Sequence, residues 1–392
     1  MLLKDNKIIN ILIIISALII VFNFSFFVIE RSPFQYSDWL INYQGGFIRR
    51  GLPGEFFYQI YKFTSIPLDL IVFISVSLLY IFFAIYLIKF IKNVKFNFLN
   101  LLILFSPLSF LYPVMEQKVS GRKDIIFIFS IIFLTTCLNK IKFENQKYLI
   151  VILVLISAFS HTGFIVFTPF FILLFIISNY TKSFYKILKE LIIISIFSAI
   201  LLIVLLFNTS LDSQSISKIC DSVKGFLPNC GQDDYIETMN WSLNYAVEIN
   251  DKLWRKENYL SFYTLVFIFA NLPLIYAFYK SELNKKYSLR LNPIFIFIFI
   301  NLITFPIYLV GVDYGRYMHI TYLSSLIFYF NAISTKFLIA GEELNNIKKP
   351  IAGLIIFLFG FTWTVPHCCK TNLKFVYQKP LSNIITINKK LD

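Results

Sequence analysis

The chain has 392 residues, of which 57% are hydrophobic and only 15% charged, and its mean hydropathy is +0.71. Soluble domains carry about 25% charged residues, so this composition excludes an ordinary soluble globular domain and describes a single integral membrane domain over 1–392. The formal net charge of +14 does not point to nucleic acid, because most lysines flank the apolar runs, where membrane orientation demands them.

In hydrocarbon every backbone N–H and C=O must be paired internally, so long apolar runs without alternation are helices rather than strands of a barrel. In chain order the predicted spans are 8–29, 66–91, 97–114, 124–138, 148–160, 162–178, 190–207, 260–280, 291–310, 317–335 and 350–366. The expected fold class is therefore an all-α, polytopic transmembrane bundle of about eleven spans. The first run is too long for the core of a secretory signal, and no small-residue cleavage site follows it, so it reads as a retained helix. The pair 148–160 and 162–178 is separated only by His161, Thr162 and Gly163, and reads either as one long tilted helix or as two crossings.

Basic residues set the orientation. Lys4 and Lys7 put the N-terminus inside. The inside loops then hold Lys89, Lys92 and Lys95; Lys140, Lys142 and Lys147; Lys182, Lys186 and Lys189; Lys280, Lys285, Lys286 and Arg290; and Lys336, Lys348 and Lys349. Both sides carry equal basic totals, but the inside loops are about half as long, which roughly doubles their basic density. The alternation works only if 148–178 crosses twice. A bacterial cytoplasmic membrane with the N-terminus inside is the expected location.

The outside face then receives a first outer loop at 30–65, the segment 115–123, the tip at His161, a second outer loop at 208–258, the turn 311–316 and the tail from 367. Every polar motif falls on this face. Cys220 and Cys230, ten residues apart in an external loop, suit a disulfide, with two unrelated thiols as the alternative. Cys368 and Cys369 are vicinal, and neighbouring cysteines rarely bond each other.

The first outer loop contains Asp38-Trp39 and then Tyr43-Gln44-Gly45-Gly46-Phe47-Ile48-Arg49-Arg50-Gly51-Leu52-Pro53-Gly54-Glu55. Its glycines permit close backbone approach. Arg49 and Arg50 offer forked donors suited to phosphate oxygens. Asp38 and Glu55 are candidates for acid, base or metal ligand, and the aromatic residues Trp39, Tyr43 and Phe47 suit a sugar face or the headgroup level. The plain alternative is a structural turn whose arginines hold lipid headgroups.

Arg122 and Lys123 stand before Asp124 at a predicted helix start, where an anion is favoured. His161 lies between two apolar helices, and an ionisable group there is a candidate base or phosphate donor. Asp313, Arg316 and His319 recur at a spacing of three, which on a helix would turn them toward one cavity. The bland readings are a charged turn, a hydrogen-bonded bundle histidine and a loop-closing ion pair. An acidic loop permits a divalent cation without requiring one. No P-loop, GxSxG, HExxH or CxxC pair is present.

Taken together, Asp38, Asn42-Tyr43, Gly45-Gly46-Phe47 and Arg49-Arg50-Gly51-Leu52, with Gly121-Arg122-Lys123-Asp124 and Asp313-Tyr314-Gly315-Arg316, resemble the membrane proteins of bacterial capsule and O-antigen gene clusters described as O-antigen or capsule polymerases. That resemblance implies joining of undecaprenyl-diphosphate-linked repeat units on the outer face of the inner membrane. Many such polymerases carry Arg-rich motifs in two large periplasmic loops, whereas here 208–258 has no clear Arg motif. An acidic residue in the first outer loop is similar instead to the GT-C class of polyprenol-phosphate-dependent glycosyltransferases, in which Asp38 would be the catalytic or metal-binding acid. Both resemblances imply one reaction. Arg49, Arg50, Arg122 and Arg316 would hold the phosphates, Asp38 or His161 would act as base, and Lys123 and His319 would be secondary. The implied partners are the polyprenyl-linked sugar, membrane lipid and other polysaccharide assembly proteins. A lipid-linked oligosaccharide flippase, a membrane acyltransferase using His161 and a non-enzymatic assembly partner are the competing classes. A flippase would show two related halves, an acyltransferase an inner entry for its donor, and neither pattern is visible in the sequence.

Overall fold

Long runs of Ile, Leu and Phe form helices because only a helix closes all their backbone hydrogen bonds within one segment. The structure is a computed structural model that describes residues 7–375 except 93, 208–209, 233, 257, 285–291 and 342–347. Lys4, Lys285, Lys286 and Arg290, part of the basic pattern, lie outside the described residues. In order, the helices are α1 (Lys7–Ile29), α2 (Ser37–Leu40), α3 (Leu52–Thr64), α4 (Leu68–Ile91), α5 (Phe98–Leu104), α6 (Tyr112–Met115), α7 (Asp124–Leu138) and α8 (Phe143–Ser160). They continue with α9 (Thr168–Ser178), α10 (Phe184–Phe207), α11 (Ser213–Val223), α12 (Leu243–Trp254) and α13 (Tyr259–Lys280). The last are α14 (Ile294–Thr304), α15 (Pro306–Val310), α16 (Tyr314–Ser334) and α17 (Lys349–Phe361). Two short antiparallel ladders join β1 (Glu282–Leu283) to β2 (Leu338–Ile339) and β3 (Trp363–Thr364) to β4 (Lys374–Phe375).

Among the described residues, five helices are long and apolar enough to cross a membrane: α1, α4, α8, α10 and α13. Shorter apolar helices cover 124–138, 162–178, 294–310 and 349–361. Several expected spans are not continuous helices: 291–310 is divided at Phe305 into α14 and α15, 350–366 leaves the helix after Phe361, and 97–114 is interrupted. Residues 97–114 contain α5 and the start of α6, with a non-helical stretch between them. Pro107 restrains the residue before it from helical geometry, and Ser106 turns its hydroxyl to the carbonyl of Ala270 instead (2.9 Å).

The 148–178 region is two antiparallel segments. The chain leaves α8 at His161 in an extended conformation, passes through a 3-10 turn at Thr162–Phe167, and returns as α9. Asn179, just past the end of α9, donates to Gln146 near the start of α8 (2.6 Å), so these two ends lie side by side.

The helices divide by environment. α16 is buried from Tyr314 to Ala332 and forms the centre. Surrounded by protein, it accommodates Ser324, Ser325 and Tyr322, whose hydroxyl reaches the carbonyl of Ile103 (2.7 Å). α1 and α10 lie at the periphery and expose Ile11, Ile15, Phe22, Ile196, Ile200 and Ile203. Apolar side chains turned outward along whole helices far exceed what a soluble surface carries, and match a lipid-facing wall.

Connections sort to two ends. At one end Tyr180 donates to Thr335 (3.0 Å), Lys147 pairs with Glu190 (2.8 Å), and β1 pairs with β2. At the other, the segments around 34, 122 and 241 meet. Both helix bounds and end assignments thus separate the Lys-rich turns from the Gly/Arg segments.

Candidate functional site

The Gly/Arg end is held together by buried charge. At the N-terminus of α7, Asp124 receives two hydrogen bonds from Arg316 (2.6 and 2.8 Å), and Arg316 also donates to Asp313 (2.7 Å). Arg122 reaches the same Asp313 oxygen (3.4 Å) and donates to the carbonyl of Phe34 (3.0 Å). A paired fork of this kind fixes geometry as well as charge. Burial opposes ionisation of Asp313, but Arg316 and Arg122 outweigh it and hold the carboxyl below its usual range.

The first outer loop is threaded under this network. Gly121 adopts φ +73°, and a Cβ there would run into the ring of Phe24. Its carbonyl accepts from the Trp39 indole (2.6 Å) and its N–H donates to the Tyr80 hydroxyl (3.2 Å). Arg50 takes a positive φ of 73°, uncommon for a residue with a side chain, which turns its carbonyl to Lys123 Nζ (2.8 Å).

The second outer loop covers the result. Cys220 and Cys230 form a disulfide with Cα atoms 5.4 Å apart. Asp234 then caps the turn by accepting from Gly231 and Glu237 (3.1 and 2.9 Å). This delivers Tyr235, whose N–H donates to Pro33 (2.9 Å) and to the Ser37 hydroxyl (3.1 Å). The Tyr235 ring meets two guanidinium groups, with its centroid 5.1 Å from Arg50 and 4.9 Å from Arg122. Cation–π contact of this kind keeps both cations in place without neutralising them.

These elements enclose a cavity of about 390 Å³. Arg49, Arg50, Arg122 and Lys118 line it, with Asp313 as the acidic wall, and Val310, Val312 and Ile249 form an apolar side. Arg49 also donates to the carbonyl of Trp241 (3.4 Å). Burial, then the neighbouring Arg50 cation, lowers the Arg49 guanidinium to about 10, which leaves it protonated at neutral pH. Burial works against the Arg50 cation as well, but Tyr235 and Asp38 outweigh it and raise the group above its ordinary value. Four cations against one carboxylate, itself shared with Arg316, make a receptor for an anion.

Several sequence candidates stand elsewhere. Asp38 is fully buried, 3.4 Å from Lys123 and shut off from the cavity. Lys123 lies behind the wall, its ammonium lowered by burial to about 8 against the pull of Asp38. His161 is 1% exposed, accepts from the Gly163 N–H (3.2 Å) and stacks on Phe164. Asp313, Arg316 and His319 do not share one cavity. Arg316 is buried in its ion pairs, and His319 lies a turn deeper, bonded to the Leu108 carbonyl (2.8 Å) and packed on Tyr112. The helical spacing is real, but a central helix is contacted on every side, so successive turns meet different neighbours. Glu55 accepts from the Tyr43 N–H, Gln44 and Gln59 and shapes the turn. Among the described residues no group of three or more His, Cys, Asp or Glu side chains is placed to hold a metal ion.

Cavity residues not singled out in the sequence are Gln35, Lys118, Tyr235, Trp241, Tyr317 and His367. Lys118 falls in the outside segment 115–123, and Tyr317 between Arg316 and His319. Tyr235 and Trp241 had no local signal, since the loop was marked only by its cysteines. Cys368, next to His367, also lines the cavity. No family model, no curated protein and no solved structure matches the chain.

Proposed function

We propose that the protein is a membrane glycosyltransferase acting on polyprenyl-phosphate- or polyprenyl-diphosphate-linked sugars, and that it extends bacterial surface polysaccharide from lipid-linked repeat units. The observation that carries this reading is the cavity in which Arg49, Arg50, Arg122 and Lys118 face one space beside an apolar wall, at one end of a bundle with lipid-facing sides. An anionic headgroup on a long hydrocarbon tail fits both halves of that environment. In the reaction a sugar hydroxyl oxygen attacks the anomeric carbon of the donor. The carbon–oxygen bond to phosphate breaks, and its electron pair leaves on the polyprenyl phosphate or diphosphate. The arginines lower the barrier by meeting charge that develops on the leaving group, an effect worth several kcal/mol per well-placed donor. Low basic density on the Gly/Arg side supports an external position for this cavity.

Deletion of the gene in its host, followed by gel analysis of surface polysaccharide, tests the reading. Single lipid-capped repeat units in place of a long ladder identify a polymerase. Loss of the unit, or a unit short by one sugar, identifies a single-sugar transferase of the GT-C type. An unchanged ladder refutes both. Complementation with Arg49→Ala should fail to restore polymer although the protein is inserted at wild-type level, and wild-type chain length in that strain would remove Arg49 from the site.

A further inference from the structure

Both bases expected from the sequence are shut away from the cavity, which leaves the proton of the attacking hydroxyl without an acceptor. We infer that His367 is the general base of the transfer reaction and that Glu116 positions it, a conclusion that rests on the glycosyl-transfer reading above.

His367 lines the same cavity as Arg49, Arg50 and Arg122. Its backbone is clamped where the tail crosses the top of α16: the carbonyl accepts from the Gly315 N–H (3.1 Å), and the preceding Pro366 carbonyl accepts from the Tyr263 hydroxyl (3.3 Å). The ring is oriented from one side only. Nδ1 is buried, makes no hydrogen bond and lies 3.4 Å from a Glu116 carboxylate oxygen, while the Glu116 side chain is 2% exposed and that of His367 21%. The exposed part of the ring is therefore the edge away from Nδ1. Once Glu116 closes on Nδ1 it selects the tautomer with its proton there, so that Nε2 presents a lone pair to the cavity. The 3.4 Å separation is long for a hydrogen bond, and base–orienter contacts in ligand-free sites are often long and tighten on binding.

The balance of the step is complete. The acceptor oxygen bonds to the anomeric carbon, the donor's carbon–oxygen bond breaks, the electron pair departs on phosphate toward the arginines, and the hydroxyl proton passes to His367 Nε2. The charged groups that line the cavity with His367 are Arg49, Arg50, Lys118 and Arg122, all cations, and Asp313 before α16, the one carboxylate. Asp313 is tied to Arg316 and to Arg122 through one carboxylate oxygen, and cations accept no proton, so His367 is the base that remains.

The test separates this assignment from the reading beneath it. Wild-type protein in nanodiscs should bind undecaprenyl diphosphate, read by tryptophan fluorescence because Trp241 lines the cavity. His367→Gln should bind that probe equally well, yet lower polymer formation in the complemented deletion strain by about 100-fold or more. Glu116→Gln should lower polymer as well, Glu116→Asp should recover part of it, and the Glu116→Gln/His367→Gln pair should be no worse than His367→Gln alone, because residues acting as a unit are not additive. Failure of the wild-type protein to bind would overturn the cavity reading. Binding by His367→Gln together with a normal ladder would overturn the base assignment alone.

If His367→Gln loses binding too, wild-type protein decides the matter. The chain has three histidines, and His161 and His319 are 1% and 2% exposed. Diethyl pyrocarbonate should therefore modify His367 first, and undecaprenyl diphosphate should protect it. Modification confined to His367 that stops glycan transfer in host membranes supports the proposal, and modification that leaves transfer intact refutes it.

Discussion

Lys123 illustrates how a residue-level motif changes meaning once it is buried. Beside Arg122 in the sequence it reads as a second phosphate ligand, but its side chain is fully enclosed with Asp38 and the Arg50 carbonyl. Its role is to tie the first outer loop to the start of α7. Burial depresses its ammonium from 10.5 to about 8. Between those values the folded chain binds fewer protons at this site than the unfolded chain, so stability rises with pH through that window and is lost again as pH falls through about 8. The contribution is about 3 kcal/mol across the window. Wild-type protein in nanodiscs should show this rise when its unfolding temperature is followed from pH 7 to 11, and the Asp38→Asn/Lys123→Met variant should lack it. Equal slopes would mean that the pair is hydrated.

At the scale of elements, the second outer loop acts as the cover of the cavity. Its disulfide closes a ten-residue separation, holds α11 to the turn capped by Asp234, and thereby sets Tyr235 against Arg50 and Arg122. A link of this length contributes about 2–3 kcal/mol by restricting the unfolded chain. A Cys220→Ser/Cys230→Ser variant should therefore unfold at lower temperature and bind undecaprenyl diphosphate more weakly, measured by thermal scan and titration. Loss of stability with unchanged affinity would show that Tyr235 is held by its contacts to Pro33 and Ser37 alone. The α8–α9 pair is the other element-level result. His161-Thr162-Gly163 breaks the helix because His161 adopts φ −159°, and the polar pair Gln146 and Asn179 closes the two helix ends opposite that turn.

Over the whole molecule, the two ends differ in chemistry as well as in sequence. Lys-rich turns gather at one, and the arginine cavity with its disulfide-bonded cover at the other. Single cysteines introduced at Lys224 and Lys140, in a background without Cys137, Cys368 and Cys369, test the orientation. A membrane-impermeant maleimide should label the first from outside intact spheroplasts and the second only after permeabilisation. The reverse pattern would place the cavity in the cytoplasm and remove lipid-linked units on the external leaflet as its substrate.

Much of this organisation was legible from composition alone. A polar backbone in hydrocarbon permits little but helices, so α1, α4, α7, α10 and α13 were readable from their apolar runs within a few residues. The broken 97–114 segment was not, because a proline beside serine reads equally well as a kink, and only the Ala270 carbonyl from α13 decides that Ser106 leaves the helix. The same limit applies to the site. Arg49, Arg50, Arg122 and Asp313 were identifiable as unusual charges among apolar residues, and they do face one cavity. Which carboxylates and histidines reach that cavity was invisible, because burial is a property of the neighbours. Asp38 and His161 are enclosed by segments distant in sequence, whereas His367, in an unremarkable tail, is opened to the cavity by its clamp on α16. Sequence by itself determined that this chain is a bundle of apolar helices with its cationic loops toward one face, since local hydrophobicity and charge suffice for that. Only the tertiary structure decided which charges neutralise one another and which remain free to meet a ligand, because pairing depends on distances between residues nearly two hundred positions apart, as Asp124 and Arg316 are.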